Sequence, residues 1–226
     1  MNSASAVYNF IYEDKRIRDI YKRIDELEEN NHEAWGHHNF NHVVNVKDIV
    51  EEVLRMLGFD EEFIEEAKIA AIMHDVGAIQ GKPDHARRSY IYARNYFDEN
   101  GIELKHKEQV LEAIRNHSDG FDSDNMMQLA LILADKLDIK YTRPTKRGLE
   151  VPGNRQYGNI ENISTAIEDN TLKVQFKSND KLDKKELEEF YFMRKVANAI
   201  KSFANRLNLE YKVYLNGKEW DEIMKD

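Results

Sequence analysis

From Met126 to Ala134 the chain reads Met-Met-Gln-Leu-Ala-Leu-Ile-Leu-Ala, apolar at every position but one. A helix of that composition is hydrophobic all round, so other elements must surround it. The run is too short to cross a bilayer, which leaves the centre of a helical bundle. It ends on Asp135, four residues after Leu131 and on the same stripe. A second helix poses the same problem. It starts after Asp60 with Glu61 and Glu62 in its first turn, where the helix dipole favours acid. It becomes steadily more apolar through Ala67, Ile69, Ala70, Ala71, Ile72 and Met73, and it ends on His74-Asp75. Burying an aspartate without a partner costs several kcal/mol, roughly, or forces protonation. A buried arginine would solve the problem, and so would a metal ion, which the adjacent imidazole favours. Asp138 competes with Asp135 for the buried position; Asp135 is preferred because it adjoins the apolar run.

The remaining pattern predicts further helices over residues 6–30, Asn41–Leu57, 85–99, 105–117 and 124–141. Gly58 is a natural stop for the second of these. Residues 31–40 and 78–85 read as loops, and Pro152, Gly153 and Gly158 mark a linker or loop. After residue 150 the period changes. Ile163–Glu168 and Leu172–Lys177 read as two strands about an Asp169-Asn170 turn. Leu182–Asn208 reads as one long helix, and Glu210–Leu215 as a third strand before an Asn216-Gly217 turn. The expected fold is mainly α: a helical bundle over 1–150 and a small ββαβ appendage over 151–226.

There are no cysteines, so any metal must be held by histidine nitrogen or carboxylate oxygen. All eight histidines lie before residue 120. His42 sits in the first turn of its helix, one residue before Val43 and four before Val46. His117 ends the stripe Val110, Ile114, His117 and points inward. His85 opens the helix after the His-Asp pair. His37 and His38 read as loop residues; His32 and His106 read as surface residues. The net charge of −9 lies entirely before residue 151, and an acidic surface argues against stable nucleic-acid binding. The N-terminal MNSASAVYNF lacks a basic stretch followed by an apolar one, so no signal peptide is expected and the protein is expected to be cytoplasmic.

The ordered set His42-Val43-x-x-Val46, His74-Asp75-x-Gly77 and Ala134-Asp135-Lys136-Leu137-Asp138 resembles the HD domain superfamily of metal-dependent phosphohydrolases. The resemblance covers about residues 35–145. It implies a helical bundle that delivers His42, His74, Asp75 and Asp135 to one divalent ion, iron, manganese or another transition metal. Some branches hold a second ion with two further histidines and share the aspartate of the pair; His85 and His117 occupy the matching order. The implied activity is hydrolysis of a small phosphate ester, a nucleotide or dinucleotide among the candidates, by metal-activated water, with His74 and Asp75 central to catalysis. Lys82 and Arg143 are the preferred phosphate-binding cations; Arg87, Arg88, Arg115 and Lys140 are further candidates. Two other readings stay open. One is a di-iron oxygenase of similar ligand pattern, and the other is a non-catalytic sensing or interaction module. No membrane association is expected, and strand pairing at an exposed edge of the appendage could give a homodimer.

Overall fold

In the computed structural model, which describes residues 3–225, every residue from Met127 to Ile139 is buried, as the apolar run requires. The helices are α1 (Ala4–Glu13), α2 (Lys15–Glu29), α3 (Phe40–Met56), α4 (Glu61–Met73), α5 (His85–Glu99), α6 (Lys107–Asn116), α7 (Met126–Leu137), α8 (Lys184–Glu188) and α9 (Phe192–Arg206). The strands are β1 (Ile160–Glu168), β2 (Thr171–Ser178), β3 (Glu210–Leu215) and β4 (Lys218–Glu219). The architecture is therefore a helical bundle with a small α+β appendage. Among the described residues no helix is long and apolar enough to cross a membrane.

Contacts divide the chain into two compact units. One runs as far as Leu27 and resumes over His38–Asp135; the other joins Glu28–His37 to everything from Lys136 onward. In the first unit α4 is central. It packs against α1, α3 and α6, and it is buried from Phe63 to Met73. Asp60 caps it by accepting from the Phe63 amide at 2.9 Å. Its buried charges are all engaged. Lys68 meets Glu65 at 2.6 Å, and the Glu66 carboxylate accepts from the Lys105 amide at 2.7 Å and the His106 amide at 2.8 Å. In α7 the one polar residue of the apolar run, Gln128, donates to the Gly120 carbonyl at 2.6 Å and accepts from Asn116 at 3.2 Å. It thereby fixes the turn that follows His117.

In the second unit the sheet order is β1-β2-β3-β4. β1 and β2 form an antiparallel hairpin about Asp169 and Asn170, both at positive φ. β3 runs parallel to β2, so α8 and α9 make the crossover between them. Leu172, Val174, Phe176 and Val213 are buried, as are Val196, Ile200 and Phe203 of α9.

Several expectations need correction. The stretch 6–30 is two helices, because Asp14 adopts an extended conformation and its side chain accepts from the Arg16 amide at 2.7 Å. The helix expected over 124–141 ends at Leu137, and the Tyr141 amide instead bonds the Ile160 carbonyl at 3.0 Å. The long helix over Leu182–Asn208 breaks into α8 and α9 at Phe190, whose ring packs on Gly153 and lies 5.9 Å from that of Tyr157. The supposed linker holds a short 3-10 turn, Asn154–Asn159, with Asn154, Gln156 and Tyr157 buried. Part of the loop over 78–85 belongs to a 3-10 turn, Val76–Gln80. Lys218–Glu219 adds a fourth strand. His106 is not a free surface residue, since its ring also meets Glu66 at 2.8 Å.

The turn after the His-Asp pair is packed tightly against α5. A methyl group on Gly77 would lie 2.4 Å from the His85 carbonyl oxygen and 2.5 Å from the Ser89 amide nitrogen, both rigid backbone. Gly77→Ala is expected to destabilise the protein by about 2–3 kcal/mol, because the turn and α5 must separate. Urea denaturation of the variant beside wild type measures this; a loss below about 0.5 kcal/mol would show that the packing yields.

Candidate metal centre

The two most deeply buried helices of the first unit end on carboxylates. α4 terminates at Met73, so His74 and Asp75 sit where helical hydrogen bonding stops. Asp135 lies near the C-terminal end of α7. His42 comes from the first turn of α3, whose N-cap Asn39 accepts from the His42 amide at 3.1 Å. His85 opens α5, and His117 follows α6 directly. All six side chains are buried or nearly so.

Their polar atoms converge. Asp75 Oδ2 lies 3.1 Å from His74 Nε2 and 3.4 Å from His42 Nε2. Asp75 Oδ1 lies 3.2 Å from His85 Nε2 and 3.5 Å from His117 Nε2. Each oxygen of one carboxylate therefore faces its own pair of imidazoles. Asp135 Oδ1 is 3.2 Å from His42 Nε2 and 4.0 Å from His74 Nε2. Three groups could each hold an ion: His42, His74 and Asp75; His74, His117 and Asp135; and Asp75, His85 and His117. Within each group the donor atoms lie no more than 4.8 Å apart.

Local chain geometry aims three of the rings. His74 Nδ1 meets the Ala71 carbonyl at 2.7 Å, His85 Nδ1 the Lys82 carbonyl at 2.8 Å, and His117 Nδ1 the Ile114 carbonyl at 2.8 Å. A carbonyl only accepts, so the proton resides on Nδ1 and the Nε2 lone pair faces the centre. The Nε2 atoms of His85 and His117 are 3.0 Å apart. Two lone pairs at that distance repel unless a positive charge comes between them. Both Asp75 oxygens and His74 Nε2 are buried without an aligned hydrogen bond. By these observations the donor set fits a cation.

The electrostatics agree. Burial alone would raise the Asp75 pKa, but the surrounding imidazoles of His74, His38, His117 and His42 hold it well below the usual carboxylate range. Burial opposes charge on His85 as well, yet Asp75 outweighs it and raises that imidazole above 6.5. His117 goes the other way, down to about 4, chiefly through burial.

The structure brings together His42, His74, Asp75, His85, His117 and Asp135. It also supplies a residue that the sequence reading assigned to a loop. His38 is buried, with its ring 6.1 Å from His42 and 5.9 Å from His85. With the His42–His74, His74–His117 and His117–His85 pairs at 5.4, 4.8 and 4.9 Å, five imidazoles close a ring around Asp75. The four-residue spacing of His38 and His42 was the available signal. Of the two preferred cations, Lys82 is exposed and lends its carbonyl to His85. Arg143 belongs to the second unit, where its carbonyl accepts from the His37 amide at 2.8 Å. Arg88 bonds the carbonyls of Gly77 at 3.0 Å and Pro83 at 2.6 Å, so it staples the loop after the His-Asp pair. Asp138 is buried, but it lies in the second unit and outside the three donor groups.

The family model of the HD domain matches residues 39–143. That stretch is an HD domain. No curated protein matches the chain significantly. HD domains are mostly metal-dependent phosphohydrolases, so the match implies a divalent metal at the cluster just described. The matched segment begins one residue after His38 and leaves α1, α2 and the sheet outside it.

A cation at this centre competes with protons for the inward-facing imidazole nitrogens, and Asp75 favours the protonated form of His85. Metal affinity is therefore expected to fall as the pH is lowered from about 8 to about 6, with net proton release on binding. Calorimetric titration with Mn²⁺ in two buffers of unequal ionisation heat measures that release. Equal apparent enthalpies in the two buffers would contradict it.

Proposed function

We propose that this chain is a phosphohydrolase of the two-metal type, acting on a small phosphate ester such as a nucleotide or dinucleotide. The observation that carries the reading is Asp75, whose two oxygens each face a separate pair of imidazoles. On this reading His42, His74, Asp75 and Asp135 hold one ion, while His85 and His117 hold a second with Asp75 shared. Bound divalent ions would polarise the phosphoryl oxygens and acidify a water molecule. The chain's own groups prepare the site for that chemistry. Asp75 stays ionised at neutral pH, and the Nδ1 bonds keep three Nε2 lone pairs turned inward. Burial of the cluster keeps bulk water away and strengthens every charge interaction in it.

Lys82 stands on the turn before His85, exposed and able to meet a substrate phosphate. The substrate is proposed to be small, because the net charge of −9 works against a polyanion.

Metal content per chain, measured by mass spectrometry of digested protein after reconstitution, tests the reading. Wild type is expected to hold two divalent ions, and Asp75→Asn to lose both. Hydrolysis of bis-p-nitrophenyl phosphate and of a panel of nucleotides and dinucleotides is expected to fall on the order of a thousandfold or more in that variant. One ion per chain would replace the two-metal reading by a one-metal one. No ion with iron, manganese, cobalt or zinc would overturn it. Bound iron with oxygen uptake and no phosphatase activity would put a di-iron oxygenase in its place.

A further inference from the structure

The HD match starts at Asn39, yet one side chain from the preceding helix reaches the backbone that carries the His-Asp pair. Ile17, Tyr21 and Ile24 form the buried stripe of α2. The Tyr21 hydroxyl donates to the Ile72 carbonyl at 2.5 Å, in the last turn of α4 and two residues before His74. That carbonyl is one of those a helix end leaves without an intrahelical donor. Its neighbour, the Ala71 carbonyl, is taken by His74 Nδ1. The phenol and the imidazole together therefore satisfy two adjacent carbonyls at the end of α4 that holds the ligands. The same phenol feels Asp75 directly. Burial raises its pKa well above 10, and the Asp75 carboxylate adds to the rise. The aromatic ring of Tyr21 lies 5.9 Å from that of Phe40, the first residue of α3 and two before His42. A second tie from α2 runs parallel, since Asp25 accepts from Asn39 Nδ2 at 2.8 Å while Asn39 caps α3.

We infer that Tyr21 is a positioning residue of the metal centre: its hydroxyl holds the chain bearing His74 and Asp75, and its ring holds the chain bearing His42. The inference rests on the metal-binding reading and extends it to an element that precedes the HD match. Tyr21 touches no ion or substrate. It sets the spacing between ligands that arrive from two different helices, and groups placed behind first ligands act on metal affinity through such geometry.

The test uses Co²⁺, whose visible absorption reports ligand geometry, on the full chain. Tyr21→Phe keeps the ring on Phe40 and removes only the hydroxyl. The control is Tyr96→Phe, which removes another phenol hydrogen bond of the same unit, the 2.6 Å contact with Asp14. Tyr21→Phe is expected to bind Co²⁺ about tenfold or more weakly than wild type and with an altered visible spectrum. Tyr96→Phe is expected to lower the thermal midpoint while leaving affinity and spectrum unchanged. If Tyr21→Phe does not fold, Phe40→Leu removes the ring's seat instead and carries the same expectation. Wild-type affinity and spectrum in the Tyr21 variant would overturn the inference, as would equal losses in the Tyr21 and Tyr96 variants. A wild-type protein that takes up no Co²⁺ would overturn the metal reading itself, and this inference with it.

Discussion

A carboxylate almost wholly removed from water, held between two pairs of imidazoles, is the constraint around which the first unit is organised. Asp75 retains its charge only because those rings surround it. They arrive from α3, the end of α4, the start of α5 and the end of α6. Each of those helix termini must therefore reach one small volume. The burial of α4 and α7 along almost their whole length follows from the same requirement, since both must run through the interior to deliver His74, Asp75 and Asp135. The Gly77 turn, the Arg88 staple and the Gln128 tether then hold the connecting loops close to the helices they join.

Much of this was legible in the sequence because it follows from hydrophobic pattern. The apolar run before Asp135 and the one before His74 could be buried only by a surrounding bundle, and a charge at the end of each had to find a partner. The misreadings share a different cause. At Asp14 a helical stripe continues across a break that a single side-chain hydrogen bond creates. At Phe190 an aromatic residue follows helical spacing but turns to pack on Gly153 and Tyr157, which lie more than thirty positions earlier. Periodicity averages over such events, and long-range packing decides them.

His38 and Tyr21 show the same limit within the site. The four-residue spacing of His38 from His42 carries meaning only if helical geometry extends ahead of the Asn39 N-cap, so it is the tertiary arrangement that shows its ring joining the others. Tyr21 sits on an ordinary apolar stripe, and nothing in its spacing separates it from Ile17 or Ile24. Only its hydroxyl contact with Ile72 gives it a different role.

The bonds from Nδ1 of His74, His85 and His117 to the carbonyl three residues earlier have a consequence for how such a centre can change over evolutionary time. Each ring's aim is written into four consecutive residues. Ligand and orientation therefore travel together as a short cassette at a helix terminus. A change within one cassette leaves the aiming bonds of the other two in place, since no aiming bond crosses from one to the next.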